Sequence, residues 1–321
     1  MKTKIVSADS VDEAVKFLRE GAAVALPTET VYGLAADALR EEAVLKIFAA
    51  KARPRFDPLI VHLPDRDWLE TIADLKGQDW KLIEKLADSF WPGPLTLVLP
   101  RQKIVPDIVT AGLDTVAVRI SAHPVFREVI DAFGGPLAAP SANRFGRISP
   151  TAAAHVLEEL HGRIPLIVDG GPTTHGLEST IVAPRNGRIE VLRLGPITEE
   201  QLAEFGEVVV VEATANPEAP GQLPSHYAPR TLLVLIDNAA SFVPDVEKRT
   251  GLLSWKSGAA SGFTEIRRLS ENLDLTEAAA NLFRHLREMD NLDLDLIVAE
   301  QLPEAGLGAA INDRLRRAAQ R

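Results

Sequence analysis

Not one of the 321 residues is a cysteine, which excludes disulfides, thiolate nucleophiles, iron–sulfur clusters and cysteine-ligated zinc together. No run of 18 apolar residues is present to span a bilayer, and the opening stretch MKTKIVSADSVDE has no apolar signal core. The expectation is a soluble cytoplasmic protein with no membrane role. Basic residues are the minority, 35 Lys and Arg against 45 Asp and Glu, giving a net charge of −10 and a pI near 5.3. That balance argues against a broad nucleic-acid-coating surface but leaves room for a local basic pocket around a phosphate. Internal repeats and low-complexity tracts are absent as well.

Familiar chemical signatures are also missing. There is no Gly-x-x-x-x-Gly-Lys-Ser/Thr phosphate loop. The nearest dinucleotide fingerprint, Gly306-Leu-Gly308-Ala-Ala-Ile311, fails at its third glycine and reads as a tight loop before the last helix. No His-Glu-x-x-His occurs, and His155 and His161, six apart, point to different faces of a helix, so no zinc site is expected. Without a Gly-x-Ser-x-Gly elbow, a serine hydrolase has little support.

What is present is globular, with 46% hydrophobic and 25% charged residues in a length that suits one large domain or two ordinary ones. Ser10-Val-Asp-Glu13 has the spacing of a capping box, and Gly21 sits where the following helix should end. Strands are expected at 22–26, 58–63, 95–99, 116–120, 137–139 and 166–169, and helices over 41–50, 68–75, 80–90, 124–133 and 151–160. Asn186-Gly187 between two apolar runs suits a type I′ hairpin turn. Alternating elements plus a hairpin point to an α/β fold with a mixed sheet in residues 1–212. Residues 213–230, punctuated by Pro and Gly and carrying Ser225-His-Tyr227, read as a functional linker. A smaller α/β domain over 231–321 follows, with strands at 232–236, 251–255 and 295–299 and helices over 275–289 and 309–319.

Polar residues collect at expected strand ends. Pro27-Thr-Glu-Thr-Val-Tyr-Gly33 follows a buried strand, where open α/β sheets place ligands, though an ordinary polar turn fits too. Lys51 and Arg53, two apart, converge only if the chain leaves helical geometry before Pro54. Together they suit a phosphate, and alone they suit a basic helix end. Ser141, Asn143, Ser149 and Thr151 offer small donors and a helix start, though in isolation the segment fits a capping sequence better. Asp169–Thr180 is a loop rich in Gly and hydroxyls. Arg119 and Arg193 lie inside apolar strand patterns, so each implies a carboxylate partner, from the protein or from a ligand.

Taken in order, these segments resemble the YrdC-domain family, in particular its long, two-domain threonylcarbamoyl-AMP synthases. The resemblance runs through Pro27–Gly33, Lys51-x-Arg53, Ser141-x-Asn143, Gly176–Thr180, the Arg193 region, the Pro-Gly…His-Tyr-Ala-Pro linker and Gly306–Leu315. It implies a twisted, mixed, open YrdC-like sheet with flanking helices and a smaller Rossmann-like C-terminal domain. It also implies condensation of L-threonine, bicarbonate and ATP to threonylcarbamoyl-adenylate and pyrophosphate, for transfer to proteins that modify a tRNA adenosine. Contact with tRNA itself would be weak or indirect. No protein nucleophile is needed; positioning and charge neutralisation carry such a reaction. Mg²⁺ would be held by ATP phosphates and water rather than by a protein site.

By the same resemblance, Lys51, Arg53, Ser141 and Asn143 are catalytic, and Arg53, Asp57, Thr115, Ser141, Ser149, Arg193 and Tyr227 bind ATP. Thr30, His62, Arg119, Ala139 and Ser179 bind threonine, with Arg119 facing its carboxylate, while Tyr227 closes over the site as a lid. Asp57 departs from the family, which more often has Asn there. The alternatives are an RNA-binding module of this domain type and a carbamoyltransferase-related enzyme. The latter would bring zinc-finger-like and acylphosphatase-like segments that are not seen.

Overall fold

Short apolar runs bounded by Gly, Pro and polar clusters become strands, and stretches with apolar spacing of three to four residues become helices. The computed structural model describes residues 2–211, 218–223, 225–256 and 261–320. The larger sheet is built from β1 (Lys4–Ser7), β2 (Val24–Leu26), β3 (Gly33–Asp37), β4 (Ile60–His62), β5 (Leu95–Pro100) and β6 (Thr115–Arg119). It is completed by β7 (Leu137–Ala138), β8 (Leu166–Asp169), β9 (Thr180–Arg185), β10 (Arg188–Arg193) and β11 (Val208–Val210). Their spatial order is β1-β8-β2-β3-β7-β4-β6-β5-β9-β10-β11. Parallel pairs such as β4 with β6 alternate with antiparallel ones such as β5 with β6, so the sheet is mixed, as expected. A second sheet holds β12 (Leu232–Ile236), β13 (Thr250–Ser254), β14 (Glu265–Arg268) and β15 (Leu296–Glu300) in the order β12-β15-β13-β14, all parallel.

Most expected elements stand within a residue or two of their places. Asn186 and Gly187 both have positive φ, 57° and 73°, as a type I′ turn between β9 and β10 requires. Local expectations fail in several places, and strands β1, β11 and β14 were not among those expected. Ser10 precedes the helix Val11–Arg19 but makes no side-chain cap, because Glu13 turns away to Lys4 Nζ at 2.7 Å. Strand β3 was not expected, since Gly-Leu-Ala-Ala-Asp has little intrinsic strand preference. Burial between β2 and β7 makes it a strand regardless.

This hairpin of β2 and β3 matters for the site. It turns Pro27–Tyr32 into its connecting loop, with Thr28, Glu29 and Thr30 all buried. The Thr28 hydroxyl holds the turn, accepting from the Thr30 and Val31 amides and donating to the Val31 carbonyl. Elsewhere the helix Glu41–Lys51 ends at Ala52, which adopts φ 52°. The chain therefore leaves helical geometry one residue after Lys51, and Arg53 turns back towards it.

Three of the five apolar groups among the described residues set this frame. One covers a face of the large sheet with the helices Glu41–Lys51 and Trp80–Phe90, and another packs Val11–Arg19 and Pro124–Phe133 against β2 and β8. The third joins the smaller sheet to the larger: Val31, Ile148, Leu177 and Tyr227 pack with Leu282, Phe283, Ile311 and Leu315. Gly176 sits at that seam with φ 70°, and a Cβ there would lie 2.5 Å from the Ala279 carbonyl oxygen and 2.6 Å from Ala280 Cα. Gly176→Ala is therefore expected to lower unfolding free energy by about 2 kcal/mol or more, from left-handed strain plus overpacking. Urea unfolding monitored by circular dichroism checks this, and an unchanged transition would contradict so close a seam.

Candidate active site

The ends of β4, β6, β9 and β10 and the β2–β3 loop surround one cleft. Nine of the residues singled out from the sequence line it: Thr30, Arg53, His62, Arg119, Ala139, Ser141, Ser179, Arg193 and Tyr227. Glu178, His226, Pro220 and Gly221 complete the wall from the Gly-rich loop and the linker. Glu178 stood unassigned in Gly176–Thr180, and its acidic character beside two hydroxyls was the only signal available.

Lys51, Asp57, Thr115, Asn143 and Ser149 do not line the cleft. Lys51 is buried behind it, donating to the carbonyls of Ser141 and Asn143 at 2.5 and 2.6 Å, and so fixes the loop that presents Ser141. Asn143 donates to the carbonyls of Arg144 and Arg147, tightening the same loop. Ser149 is fully buried, and its hydroxyl donates to the Glu178 carboxylate. Thr115 is half-buried at the start of β6, opposite Pro100.

Each guanidinium is held from one side and left with spare donors. Arg119 donates to the Gly93 carbonyl, the Thr30 hydroxyl and Glu29 Oε1, the last at 2.6 Å. The carboxylate it required is therefore the protein's own. Three of its five N–H bonds are used, leaving one on each terminal nitrogen. Arg53 is clamped by the Asp57 and Pro58 carbonyls and pairs with Asp57 Oδ2 at 2.8 Å. Arg193 donates to the carbonyls of Ser179 and Pro220 and to the Ser179 hydroxyl. Among the described residues no carboxylate lies within 4.0 Å of Arg193. It is the cleft guanidinium without a carboxylate in salt-bridge contact.

The described part of the linker is packed rather than extended. Residues 212–217 and 224 of the linker region lie outside the described residues. Tyr227 is buried with φ 64°, its ring against His226 and Phe283 at centroid distances of 4.2 and 5.5 Å. A bulky residue keeps such a backbone only where its surroundings over-determine it. Gly221 permits the approach, since a Cβ there would stand 2.7 Å from the Tyr227 hydroxyl and 3.1 Å from Arg193 Cδ.

Comparison with known proteins agrees with this fold. A family model described as "Telomere recombination" matches residues 16–195, and one described as "Threonylcarbamoyl-AMP synthase, C-terminal domain" matches residues 197–320. The chain is 41% identical to the threonylcarbamoyl-AMP synthase of Pyrococcus abyssi (strain GE5 / Orsay), over 95% of this chain and 92% of that one. It belongs to the threonylcarbamoyl-AMP synthase family. The synthase of Bacillus subtilis (strain 168) is 40% identical over 99% of this chain and 98% of its own length. In three dimensions, a crystal structure of P. abyssi Sua5 complexed with L-threonine superposes with a TM-score of 0.90 at 38% identity, covering 99% of this chain and 98% of that one.

Electrostatics in this family member's cleft follow from burial. Glu178 would be pushed up by desolvation, but Arg314 and Arg193 overcome that and hold it below the usual carboxylate range. The same contest at Glu29, won by Arg119 and the Ser121 hydroxyl, brings it down to about 2. At Asp57 burial wins over Arg53, Lys51 and Arg193, and its pKa rises. Burial lowers Arg193 to about 10, so it stays charged at neutral pH. Tyr227 is pushed up to about 12 by desolvation and by Glu178.

Like His226, His62 is one of the fold's buried, acid-sensitive imidazoles. Burial and the Arg119 charge lower it to about 3, and neither ring nitrogen makes a side-chain hydrogen bond among the described residues. Above pH 6.5 both folded and unfolded states carry it neutral. As pH falls from 6.5 towards 3 only the unfolded state gains the proton, so stability is lost over that window. Between pH 6.5 and 5 the loss should be about 2 kcal/mol, at 1.36 kcal/mol per pH unit. Urea unfolding at the two pH values should show that this increment disappears in His62→Gln; an equal pH dependence in both proteins would contradict a buried neutral imidazole.

Proposed function

We propose that this chain joins L-threonine, bicarbonate and ATP into threonylcarbamoyl-AMP, releasing pyrophosphate. The observation that carries the reading is a single cleft lined both by Arg53 and Arg193 and by the Thr30, His62, Arg119 and Ser179 wall. The first pair suits a triphosphate, because guanidiniums give directed, charge-assisted bonds to phosphate oxygens. The second wall suits an amino acid, with the spare N–H bonds of Arg119 for its carboxylate and hydroxyls for its polar side chain.

The chemistry needs no protein nucleophile. The threonine amine adds to bicarbonate with loss of water, and a carbamate oxygen attacks the α-phosphorus. The α–β bridging P–O bond breaks and pyrophosphate leaves. The protein holds the two reactants in line and neutralises the growing charge on the leaving group. Arg53 and Arg193 act on the phosphates, and Ser141 donates to them from the loop that Lys51 and Asn143 brace. Thr115, Ser149 and the Asp57 region contribute from behind the wall, and Ala139 offers its backbone to threonine.

Asp57 competes with the phosphates for Arg53 as an internal counter-ion. The residues fit a magnesium ion that arrives on the nucleotide. Among the described residues no group of three His, Cys, Asp or Glu side chains forms a metal cluster, and Glu178 and Asp57 each pair with an arginine. Bound on the phosphates, such an ion would supply further charge neutralisation.

The working division is a catalytic domain over residues 1–212, a lid over 213–230 that carries Tyr227, and a C-terminal domain over 231–321. We place the reaction in the cytoplasm, with the product passed to the proteins that modify tRNA and no direct tRNA site required. An RNA-binding role has the net charge of −10 against it. A carbamoyltransferase-related role is less economical than one shared with relatives matched along 92% and 98% of their lengths.

Pyrophosphate release from ATP should require both L-threonine and bicarbonate; release indifferent to either would overturn the reading. Arg193→Ala should cost about 2 to 3 kcal/mol in kcat/KM for ATP, roughly 30- to 150-fold, with the circular dichroism spectrum retained. Asp57→Asn, which removes the competing charge at constant shape, should tighten ATP binding several-fold by calorimetry. Weaker binding of magnesium ATP alone would make Asp57 a metal ligand instead.

A further inference from the structure

The helix Leu307–Ala319 closes the C-terminal domain, yet its largest fully buried side chain reaches the cleft wall of the other domain. Arg314 is fully buried, an expensive place for a guanidinium unless its donors are met. Its Nε donates to Glu178 Oε2 at 2.9 Å, and its terminal nitrogens donate to the Leu194 carbonyl and to Asp313, both at 2.8 Å. Its guanidinium carbon lies 5.3 Å from the centroid of the Tyr227 ring, a cation–π contact. Glu178 and Tyr227 both line the cleft, and Arg314 does not.

The contact continues along the same end of the helix. Arg317 donates to the Leu223 carbonyl at 2.7 Å and its own carbonyl accepts from the His226 amide at 3.3 Å. The Gln320 carbonyl accepts from the Ser225 hydroxyl at 2.7 Å. One helix end therefore grips the linker at Leu223, Ser225 and His226, just before Tyr227, and through Arg314 grips Glu178.

We propose that Arg314 is a positioning residue for the nucleotide half of this site, so that the C-terminal domain sets ATP affinity by holding Glu178 and Tyr227 in the cleft wall. The inference rests on the synthase reading above. Its mechanism is a competition between cations for one carboxylate. With Arg314 present, Glu178 is satisfied by that guanidinium and by the Ser149 hydroxyl, and Arg193 keeps its charge for the ligand. Without Arg314, the next strongest positive charge acting on Glu178 is Arg193, which is then drawn off the phosphates. The Arg119 and Thr30 part of the threonine wall, anchored on Glu29 and Gly93, makes no hydrogen bond to Glu178, Arg193 or Arg314 among the described residues.

Calorimetric titration of the full chain with a non-hydrolysable ATP analogue tests this independently of turnover. Arg314→Met should weaken analogue binding by tenfold or more while the KM for threonine stays within twofold. The double variant Arg314→Met/Glu178→Gln should recover most of the lost affinity, because no carboxylate is left to recruit Arg193. Arg314→Lys, which keeps the charge but not the fork, should fold where the methionine variant does not and should show a threefold or larger loss. A lower melting temperature with unchanged analogue affinity, or a double variant no better than the single, would overturn the proposal. Failure of wild-type turnover with ATP, threonine and bicarbonate would instead count against the synthase reading and leave the affinity result to stand on its own.

Discussion

Among the described residues, four guanidiniums are buried around one cleft, and three carboxylates are buried in salt-bridge contact with them. Arg53 takes Asp57, Arg119 takes Glu29 and Arg314 takes Glu178, which leaves Arg193 with carbonyls and a hydroxyl alone. Buried charge is costly unless compensated, so the fold holds an unmet demand for an anion at that point. A protein with a net charge of −10 repels anions at long range. It therefore binds a triphosphate through a local deficit of carboxylates rather than through its overall field.

The same shortage explains how the two halves of the chain depend on each other. Glu178 is shared: Ser149 and Arg314 hold it, and its charge also acts on Arg193 and Tyr227. The C-terminal helix is thus wired to the cleft by a carboxylate and an aromatic ring rather than by apolar contact alone. Gly176 and Gly221 let backbone and ring come close enough for that arrangement, both at positive φ. Their value lies in close approach, which no side chain could provide.

Much of this was legible in the sequence, for identifiable reasons. Lys51, Arg53, Ser141 and the Pro27–Gly33 loop stood out because cations and hydroxyls at strand ends are chemically conspicuous. Arg119 and Arg193 were conspicuous as charges inside apolar strands, and the demand for a partner was met at Arg119 by Glu29, within the loop already singled out. What stayed hidden depended on contacts between distant segments. Arg314 lay unremarked inside the last expected helix, because arginine usually faces solvent. Strand β3 was hidden by its alanines, and Ser10 misled because Glu13 found Lys4 instead. The linker's composition revealed its irregularity but not its packing, which a helix nearly a hundred residues later determines.

The most direct measurement is a crystal structure of the chain with a non-hydrolysable ATP analogue and L-threonine. The account predicts the triphosphate between Arg53 and Arg193, with the amino acid's carboxylate on Arg119 and its amine directed at the α-phosphate side. Ligands seated in separate cavities, or a triphosphate bound away from Arg193, would contradict it.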